Sequence, residues 1–406
     1  MTAPPQRSVA VFLIAAEESG DALGAALARA LIENGRGQVG FAGVGGRAMA
    51  AAGIDSPFPI EELSIVGLSA IPQRLPLILR RIRETAAAVI AAQPDALVII
   101  DSPDFTHRVA RRVRRLAPSI PILDYVSPSV WAWRPWRARA MRHYIDCVLA
   151  ILPFEPAAHL RLGGPPCIYV GHPMIERIAE LRPDADELHR RRSDPPLVLA
   201  LPGSRSAELR RLLPTFGAAI ARAVERIGPV ELVLPTMPHL LERVRAGVAG
   251  WPLQPRIVVD PEEKWAAFRS ARAALAASGT VTLELALAAV PTVAAYRVPL
   301  IEEMVFRAAK TPEFSNVILA NLAIGENVVP QFLQRHCTPE KLGDALVSVV
   351  LDTPEREGQT EAFKRLDAIM AIGTASPSSQ AAAIVLEAAQ RGRRAAALIS
   401  AAPQPC

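Results

Sequence analysis

The sequence is poor in cysteine and lysine and has no long apolar run, and each shortage excludes a class of protein. Its 406 residues include 4 Cys that lie far apart without a Cys-x-x-Cys pair, which argues against a disulfide framework or a structural zinc site. The most apolar stretch, Ala273 to Tyr296, is interrupted by Ser278–Thr280 and Glu284, so it does not predict a transmembrane helix. The first apolar run ends at Glu17 and Glu18, which predicts a buried strand rather than a signal peptide.

Lysine is so scarce that the chain relies on arginine for its positive charge. The net charge is +5, but Arg74 to Arg142 holds thirteen arginines against five acidic residues, a local charge of +8. Such a field favours an anionic partner, which is nucleic acid, a phosphorylated substrate or an anionic membrane surface. A solvated arginine face in an arginine-biased protein is the alternative interpretation.

The most distinctive stretch is the tryptophan–arginine segment, YVSPSVWAWRPWRARAMR, which runs from Tyr125 to Arg142. It holds three of the 5 tryptophans, Trp131, Trp133 and Trp136, interleaved with arginines. Its two prolines prevent one uninterrupted helix. A loop of this composition favours a wet, anionic or amphipathic ligand, whereas a helix that packs its indoles inward is the alternative.

Short apolar runs alternate with longer helical patterns along the chain, from the predicted strand Val9–Ala15 to the predicted strand Thr292–Tyr296. This alternation predicts an α/β protein with two Rossmann-like, doubly wound parallel sheets in tandem. The polar, proline-flanked stretch Leu181–Pro196 interrupts it and predicts the region between two domains. Ligands of such sheets lie beyond the carboxyl ends of the strands, so we expect a cleft between the domains.

We predict three parts from this pattern. An N-terminal domain covers residues 1–180, and a second domain covers residues 181–355. The last part, residues 356–406, is helical, packs back on the first domain and frays at its end.

Two loops in the first half carry acidic residues at the ends of predicted strands. Ser19 can cap the helix that follows the first strand, but capping does not account for Glu17 and Glu18. Asp101 and Asp104 follow another apolar run, where a carboxylate can bind a metal or serve as a general base. Asp104 is equally suited to be a helix N-cap.

Two further signals in the first half have ordinary explanations. The turn Gly43–Ala48 matches G-x-G-x-x-A, but it follows the second strand and lacks the acidic residue that a nicotinamide site needs farther on. His172 lies in a Gly-His-Pro triplet, where a lone histidine is more often structural than catalytic.

Two loops in the second half are candidate phosphate sites. Gly203 and Ser204 place backbone N–H groups at a helix start, and Arg205 can grip a phosphate, although the Walker spacing is missing. The turn Ser278–Thr280 opens a second helix that can hold another phosphate. Glu284, one turn later, can accept hydrogen bonds from a ribose diol, because a lone glutamate in so apolar a helix is costly to bury without a partner.

Taken together, these motifs resemble the lipid-A-disaccharide synthase family, inverting glycosyltransferases of the two-domain GT-B type. The shared motifs span about Val9–Leu333 and read AEESGD, GVGG, DSPDF, VSPSVWAWR, LPFE, VGHP, LPGSR, ASGTVTLE and LAN. The chain departs from the family pattern at Ala16 and Glu18 in the first motif and at Ala320 in the last. It also has Glu326 where the family usually has arginine, which removes a positive charge near the expected diphosphate.

The resemblance implies that 2,3-diacylglucosamine is transferred from its UDP carrier to the 6-hydroxyl of 2,3-diacylglucosamine 1-phosphate, without cofactor or metal. It implies Asp104 as the general base, with Asp101 and Glu17 as competitors. The donor-binding residues it implies are Gly203, Ser204, Arg205, Ser278, Gly279, Thr280, Glu284, Arg297 and Asn321. The acceptor-binding residues it implies are Ser19, Ser127, Trp131, Trp133, Arg134 and His172.

The resemblance also implies a cytoplasmic enzyme, peripheral at the inner membrane, with anionic lipid against Arg74–Arg142 and no nucleic acid partner. It leaves a homodimer open. The nearest alternative is a UDP-sugar 2-epimerase or another GT-B enzyme, which shares the architecture but gives the tryptophan–arginine segment no task. A two-lobed binding protein is more remote, because the strand-end loops carry phosphate-binding residues.

Overall fold

The computed structural model describes residues 8–63, 71–132, 134–297 and 318–392, except for the side chains of residues 71–74. The chain divides into two compact units. The first unit consists of Met1–Ile175 and Ile372–Cys406, and the second consists of Glu176–Ala371. In the described part of the chain, no helix is long and apolar enough to cross a membrane.

Within the described residues, the first unit contains a six-stranded parallel sheet in the order β2-β1-β3-β4-β5-β6. Its strands are β1 (Val9–Ala15), β2 (Val39–Val44), β3 (Ala96–Ile100), β4 (Ile122–Tyr125), β5 (Cys147–Ala150) and β6 (Cys167–Tyr169). Its first helices are α1 (Glu18–Asn34), α2 (Arg47–Ala51), α3 (Ile71–Ala92), α4 (Pro103–Leu116), α5 (Trp136–Met141) and α6 (Glu155–Leu162). Successive β1 residues point to opposite faces, so Leu13 packs with α1 and Ile14 packs with α3 and α4.

The second unit repeats this plan, with a six-stranded parallel sheet among the described residues in the order β12-β11-β10-β7-β8-β9. Its strands are β7 (Leu197–Leu201), β8 (Glu231–Pro235), β9 (Arg256–Val258), β10 (Ala273–Ala277), β11 (Thr292–Tyr296) and β12 (Gln331–Leu333). Its helices are α7 (Ile178–Leu181), α8 (Ala185–Arg192), α9 (Ser206–Ile227), α10 (Leu241–Val248), α11 (Pro261–Ser270), α12 (Thr280–Leu287), α13 (Leu319–Ile324), α14 (Pro339–Val350), α15 (Pro354–Lys364) and α16 (Leu366–Met370). Short 3-10 helices lie at Ile60–Leu63, Pro173–Ile175, Pro238–Leu240 and Gln334–His336.

The stretch Leu181–Pro196, predicted as the region between the domains at the start of the second one, lies in the second unit and contains helix α8. Asp184 and Glu187 form a capping box that starts this helix. Arg191, near the end of α8, is buried and donates hydrogen bonds to the carbonyls of Phe268 and Ala288. A charged sequence is compatible with a packed helix here because backbone carbonyls satisfy its buried guanidinium.

The C-terminal part also differs from its predicted limits. Residues 356–371, predicted to pack back on the first domain, lie in the second unit within or beside helices α15 and α16. The last described helix, α17 (Pro377–Arg391), belongs to the first unit, where the Asn34 amide donates to the Ser379 carbonyl at 2.9 Å. Residues 393–406, which include the end predicted to fray, lie outside the described residues.

Candidate active site

The turn between β3 and α4 has a strained backbone. Asp101 and Ser102 both adopt left-handed conformations, with φ of +51° and +46°. Successive non-glycine residues of this kind are uncommon and are concentrated at functional turns. The Asp101 carboxylate accepts the Ser102 amide at 2.7 Å, and the buried Ser102 hydroxyl has no hydrogen-bond partner among the described residues. The turn therefore holds a half-buried carboxylate at the carboxyl end of a central strand.

Asp104, the first choice for the general base, lies in a different environment. Its side chain is 81% exposed, and its Oδ1 lies 2.8 Å from a guanidinium nitrogen of Arg137. Ser102, rather than Asp104, occupies the N-cap position of α4. Asp104 is thus an exposed, arginine-paired carboxylate in the first turn of the helix.

The buried carboxylate of Asp21 organises the neighbouring turn after β2. It accepts hydrogen bonds from the amides of Gly46, Ala48 and Met49 at 2.7, 2.8 and 3.0 Å. It thereby caps the start of α2 from within α1. A Cβ atom at Gly46 would lie 2.7 Å from Asp21 Oδ2, so this glycine is required by the contact. These amides are engaged by protein, which argues further against a nicotinamide site.

The remaining acidic motif residues of the first turn are exposed. Glu17 occupies the N-cap position of α1 without a side-chain capping bond, and Ser19 lies inside the helix. The predicted capping role of Ser19 is therefore wrong. A cavity of about 330 Å³ beside this turn is lined by Glu17, Glu18, Asp21, Gly46, Arg47, Ile60 and Glu61.

The tryptophan–arginine segment begins with a sharp turn after β4. Val126 has a φ of +79°, which is rare for a β-branched residue. The Ser127 hydroxyl lies 2.8 Å from His159 Nε2, and the Trp131 indole N–H donates to Glu155 Oε1 at 3.2 Å. Ser127 and Trp131 are thus both bonded to side chains of helix α6.

The tryptophans of this segment differ in their surroundings. Trp131 is half-buried and meets Phe154 edge to face, with ring centroids 5.1 Å apart. Trp136 begins α5 and is 64% exposed. Trp133 lies outside the described residues. The prediction that prolines prevent one continuous helix is confirmed, because helix begins only after Pro135.

Sequence reasoning assigned no role to the buried ionisable residues beneath this segment. Burial raises the pKa of Glu155 to about 8, and burial lowers the pKa of His159. Asp124, wholly buried on β4, lies 3.1 Å from His107 Nε2. The LPFE motif was the one sequence signal for Glu155, and a buried aspartate within an apolar strand was the signal for Asp124.

His172 follows β6 and is buried. Burial lowers its pKa to about 4, so the imidazole is neutral at neutral pH. Its Nδ1 accepts the Met174 amide at 3.2 Å, which places the proton on Nε2. This geometry favours the structural interpretation of His172.

In the second unit, the turn after β7 carries the predicted phosphate-binding residues. Gly203 has a φ of +117°, and the Glu208 carboxylate accepts the amides of Ser204 and Arg205 at 3.0 and 3.2 Å. The Arg205 side chain is 79% exposed, with one guanidinium nitrogen 3.3 Å from Glu208 Oε1. The Glu208 carboxylate therefore engages the Ser204 amide, which is one of the two backbone groups predicted to bind phosphate, and the Arg205 amide next to it.

The turn after β10 leads directly into α12, with Gly279 at the N-cap position. Gly279 and Thr280 are exposed, and Ser278 is half-buried. Glu284 has a protein partner, since its Oε2 lies 3.0 Å from Lys264 Nζ. The start of α12 is therefore exposed, and the Glu284 carboxylate and the Lys264 ammonium group lie about one helical turn farther along.

The other two predicted donor residues bond to the backbone. The Arg297 guanidinium donates to the Cys337 carbonyl. The buried Asn321 side chain donates to the Val329 carbonyl at 2.9 Å and accepts the amides of Val328 and Val329 at 3.1 and 2.8 Å. Asn321 thus fixes the turn after α13.

Glu326, which stands where the family usually has arginine, forms an ion pair with an arginine that is distant in sequence. Its carboxylate pairs with both terminal nitrogens of Arg365, at 2.7 and 2.9 Å.

In the described part of the chain, no group of three or more His, Cys, Asp or Glu side chains is placed to hold a metal ion.

Two parallel six-stranded sheets with polar turns at their carboxyl ends define the class of this protein, which has the GT-B fold. MurG of Acinetobacter baumannii superposes with a TM-score of 0.53 at 18% identity, covering 93% of this chain and 99% of that chain. The UDP-GlcNAc 2-epimerase of Neisseria meningitidis, solved with UDP-GlcNAc, gives a TM-score of 0.58 at 10% identity and covers 94% and 99%.

The chain belongs to the lipid-A-disaccharide synthetase family, whose pattern matches residues 11–385. The lipid-A-disaccharide synthase of Nitrobacter hamburgensis is 60% identical over 383 residues, covering 94% of this chain and 96% of that protein. The predicted family, fold and glycosyltransferase class are therefore confirmed.

Proposed function

We propose that this chain transfers 2,3-diacylglucosamine from its UDP carrier to the 6-hydroxyl of 2,3-diacylglucosamine 1-phosphate. The products are the β-1,6-linked disaccharide 1-phosphate and UDP. The observation that carries this proposal is the 60% identity to a lipid-A-disaccharide synthase across 94% of the chain. The epimerase alternative is not favoured, because its likeness is confined to the fold at 10% identity.

For the general base we propose Asp101 rather than Asp104. The acceptor O6–H gives its proton to a carboxylate as the O6–C1 bond forms and the bond from C1 to the UDP oxygen breaks. Asp101 is supported by its half-buried position in a strained turn at the end of β3. Asp104 is open to water and paired with Arg137, and Glu17 is exposed at the start of α1. Neither surrounding provides comparable preorganisation.

For the donor we propose that UDP lies against the turns after β7 and β10. Two helix starts and the exposed Arg205 supply positive potential for the diphosphate, whose charge grows as UDP departs. The proposed contacts lie just before or at the start of the two helices: Gly203, Ser204 and Arg205 before α9, and Ser278, Gly279 and Thr280 at the start of α12. Glu284 faces the ribose in this proposal, and Lys264 beside it adds charge that the sequence did not predict. Arg297 and Asn321 then act by shaping the adjoining turns.

For the acceptor we propose the tryptophan–arginine segment and the turn after β1. Ser19 is exposed and Arg134 is half-buried, and both face the sugar phosphate in this proposal. Trp133, which lies outside the described residues, completes the predicted set. Ser127 and His172 are buried, so their contribution is to the shape of the neighbouring turns. Trp131 presents its half-buried ring, while its N–H is held by Glu155.

We further propose that the enzyme works at the cytoplasmic face of the inner membrane, where its acylated substrates reside. Support comes from the exposed apolar side chains of Leu75, Leu79 and Trp136 within the basic stretch Arg74–Arg142. Arginines attract anionic headgroups while such side chains enter the interface. Flotation with liposomes that contain or lack anionic lipid tests this, and equal recovery in both would contradict it.

Product analysis by mass spectrometry with paired diacylated sugars tests the reaction itself. We expect UDP and a disaccharide phosphate only when donor and acceptor are both supplied. Conversion of the donor sugar without an acceptor would indicate the epimerase instead. Failure to form the disaccharide from the complete pair would overturn the proposal.

A further inference from the structure

Helix α6 directs two buried side chains at the turn that follows β4. Glu155 and His159 lie one helical turn apart, so they share a face of the helix. Glu155 accepts the Trp131 N–H at 3.2 Å, and His159 Nε2 lies 2.8 Å from the Ser127 hydroxyl. The same helical face thus holds the turn at two points, with both side chains almost wholly inaccessible to water.

Both partners of the Glu155–Trp131 hydrogen bond are held in place by a further interaction. The second carboxyl oxygen accepts the Leu152 amide at 3.0 Å, so both oxygens of Glu155 have a hydrogen-bond partner. The Trp131 ring is fixed in turn by its edge-to-face contact with Phe154. Neither the carboxylate nor the indole can move without breaking another interaction.

The two contacts lie between strained backbone positions. Val126 and Arg134, at the ends of the turn, have φ of +79° and +56°. Strain of this kind persists only where the surroundings enforce it. The α6 bonds within the turn provide that enforcement, and the ion pair from Arg137 to Asp104 joins the next residues to the turn that carries Asp101.

We infer that Glu155 and His159 are positioning residues that hold residues 126–132 in the conformation that binds the acceptor sugar phosphate. The inference rests on the proposed function, because it takes this turn as part of the acceptor site. The two side chains act through Trp131 and Ser127 and do not contact the acceptor themselves.

The test compares Trp131→Phe with Trp251→Phe in the full-length enzyme. Both remove an indole N–H, but the Trp251 N–H is buried without a partner among the described residues. Because a hydrogen bond to a buried carboxyl group is lost only at Trp131, we expect Trp131→Phe to raise KM for the acceptor about tenfold. We expect KM for the UDP-sugar to stay unchanged in both variants.

Glu155→Gln replaces one of the two carboxyl oxygens with an NH2 group, which cannot accept a hydrogen bond, so the side chain can no longer accept both the Trp131 and the Leu152 N–H groups. It should shift the acceptor KM in the same direction. Amide hydrogen exchange over residues 126–132 should accelerate in Glu155→Gln and Trp131→Phe but not in Trp251→Phe. If Glu155→Gln fails to fold, Trp131→Phe still tests the contact, because it leaves α6 unaltered.

The possible outcomes separate this inference from the proposed function. A wild-type enzyme that makes no disaccharide overturns the proposed function. An active wild type whose acceptor KM is unchanged by Trp131→Phe overturns the positioning role, as does unchanged exchange over residues 126–132. An equal rise in both KM values also overturns it, because a positioning role for this turn affects the acceptor alone.

Discussion

The turn after β4 and the turn after β7 are stabilised in different ways. In the first, Trp131 bonds to a buried carboxylate that lies 24 residues later on a separate helix. In the second, the Ser204 amide bonds to Glu208, only 4 residues later in the same chain segment. A contact formed with a distant buried partner fixes a conformation, whereas a local carboxylate on backbone amides can be replaced by another anion. The turn after β4 is therefore preorganised by tertiary packing, and the turn after β7 is arranged by local sequence.

The largest expected effect concerns the base in the first unit. Asp101→Asn should lower kcat about a thousandfold, because it removes the proton acceptor while preserving the shape of the side chain. Asp104→Asn is the matched control from the same turn and should lower kcat far less, since it breaks only an exposed ion pair. Steady-state kinetics at saturating substrate measure both. Equal losses in the two variants would contradict the preference for Asp101.

The next effect concerns the exposed cation of the donor turn. Arg205→Ala should lower kcat/KM about a hundredfold, because the arginine stabilises charge on the departing diphosphate. Arg210→Ala, at an exposed position on the same helix, should behave like the wild type. The rate of UDP release by both variants measures this effect. Equal kcat/KM values for the two variants would contradict a role for Arg205 in donor binding.

The third effect concerns stability and the buried carboxyl under the acceptor turn. Burial raises the Glu155 pKa from 4.5 to about 8, so the folded state binds this proton more tightly than the unfolded state. The resulting stability is complete below about pH 4.5 and is lost as pH rises towards 8, by an amount on the order of a few kcal/mol. Glu155→Gln should lack this part of the pH dependence in urea unfolding. A variant with the same pH profile as the wild type would contradict it.

The smallest expected effect sharpens the contrast between the turns. Glu208→Gln should lower the Kd for UDP about threefold, because the diphosphate no longer competes with a carboxylate for the Ser204 and Arg205 amides. Titration calorimetry with UDP measures the change. A higher Kd would instead mean that Glu208 organises the turn for the donor. The turn after β7 would then be preorganised by a protein side chain, like the turn after β4.

Sequence pattern predicted the buried centre of each sheet well. The limits of β1 and β11 agree with the predicted runs, because strands covered on both faces are continuously apolar. The edge strands β6 and β12, which have three residues each, were missed. Helix α8 was taken for a linker because its buried arginine looked like surface charge.

By itself, the sequence determined the family, the GT-B fold and the strand-end turns that carry polar residues, because these follow from motif order and apolar periodicity. Only the tertiary structure decided which of those residues are already bonded to protein. In the folded chain, Glu155 is hydrogen-bonded to Trp131 and Asp21 to Gly46, and the Asn321 side chain is hydrogen-bonded to a backbone turn. Such partners meet through packing of separate elements, so linear spacing does not reveal them. The composition of the tryptophan–arginine segment indicates an anionic or amphipathic ligand, but the conformation of the segment depends on its hydrogen bonds to helix α6.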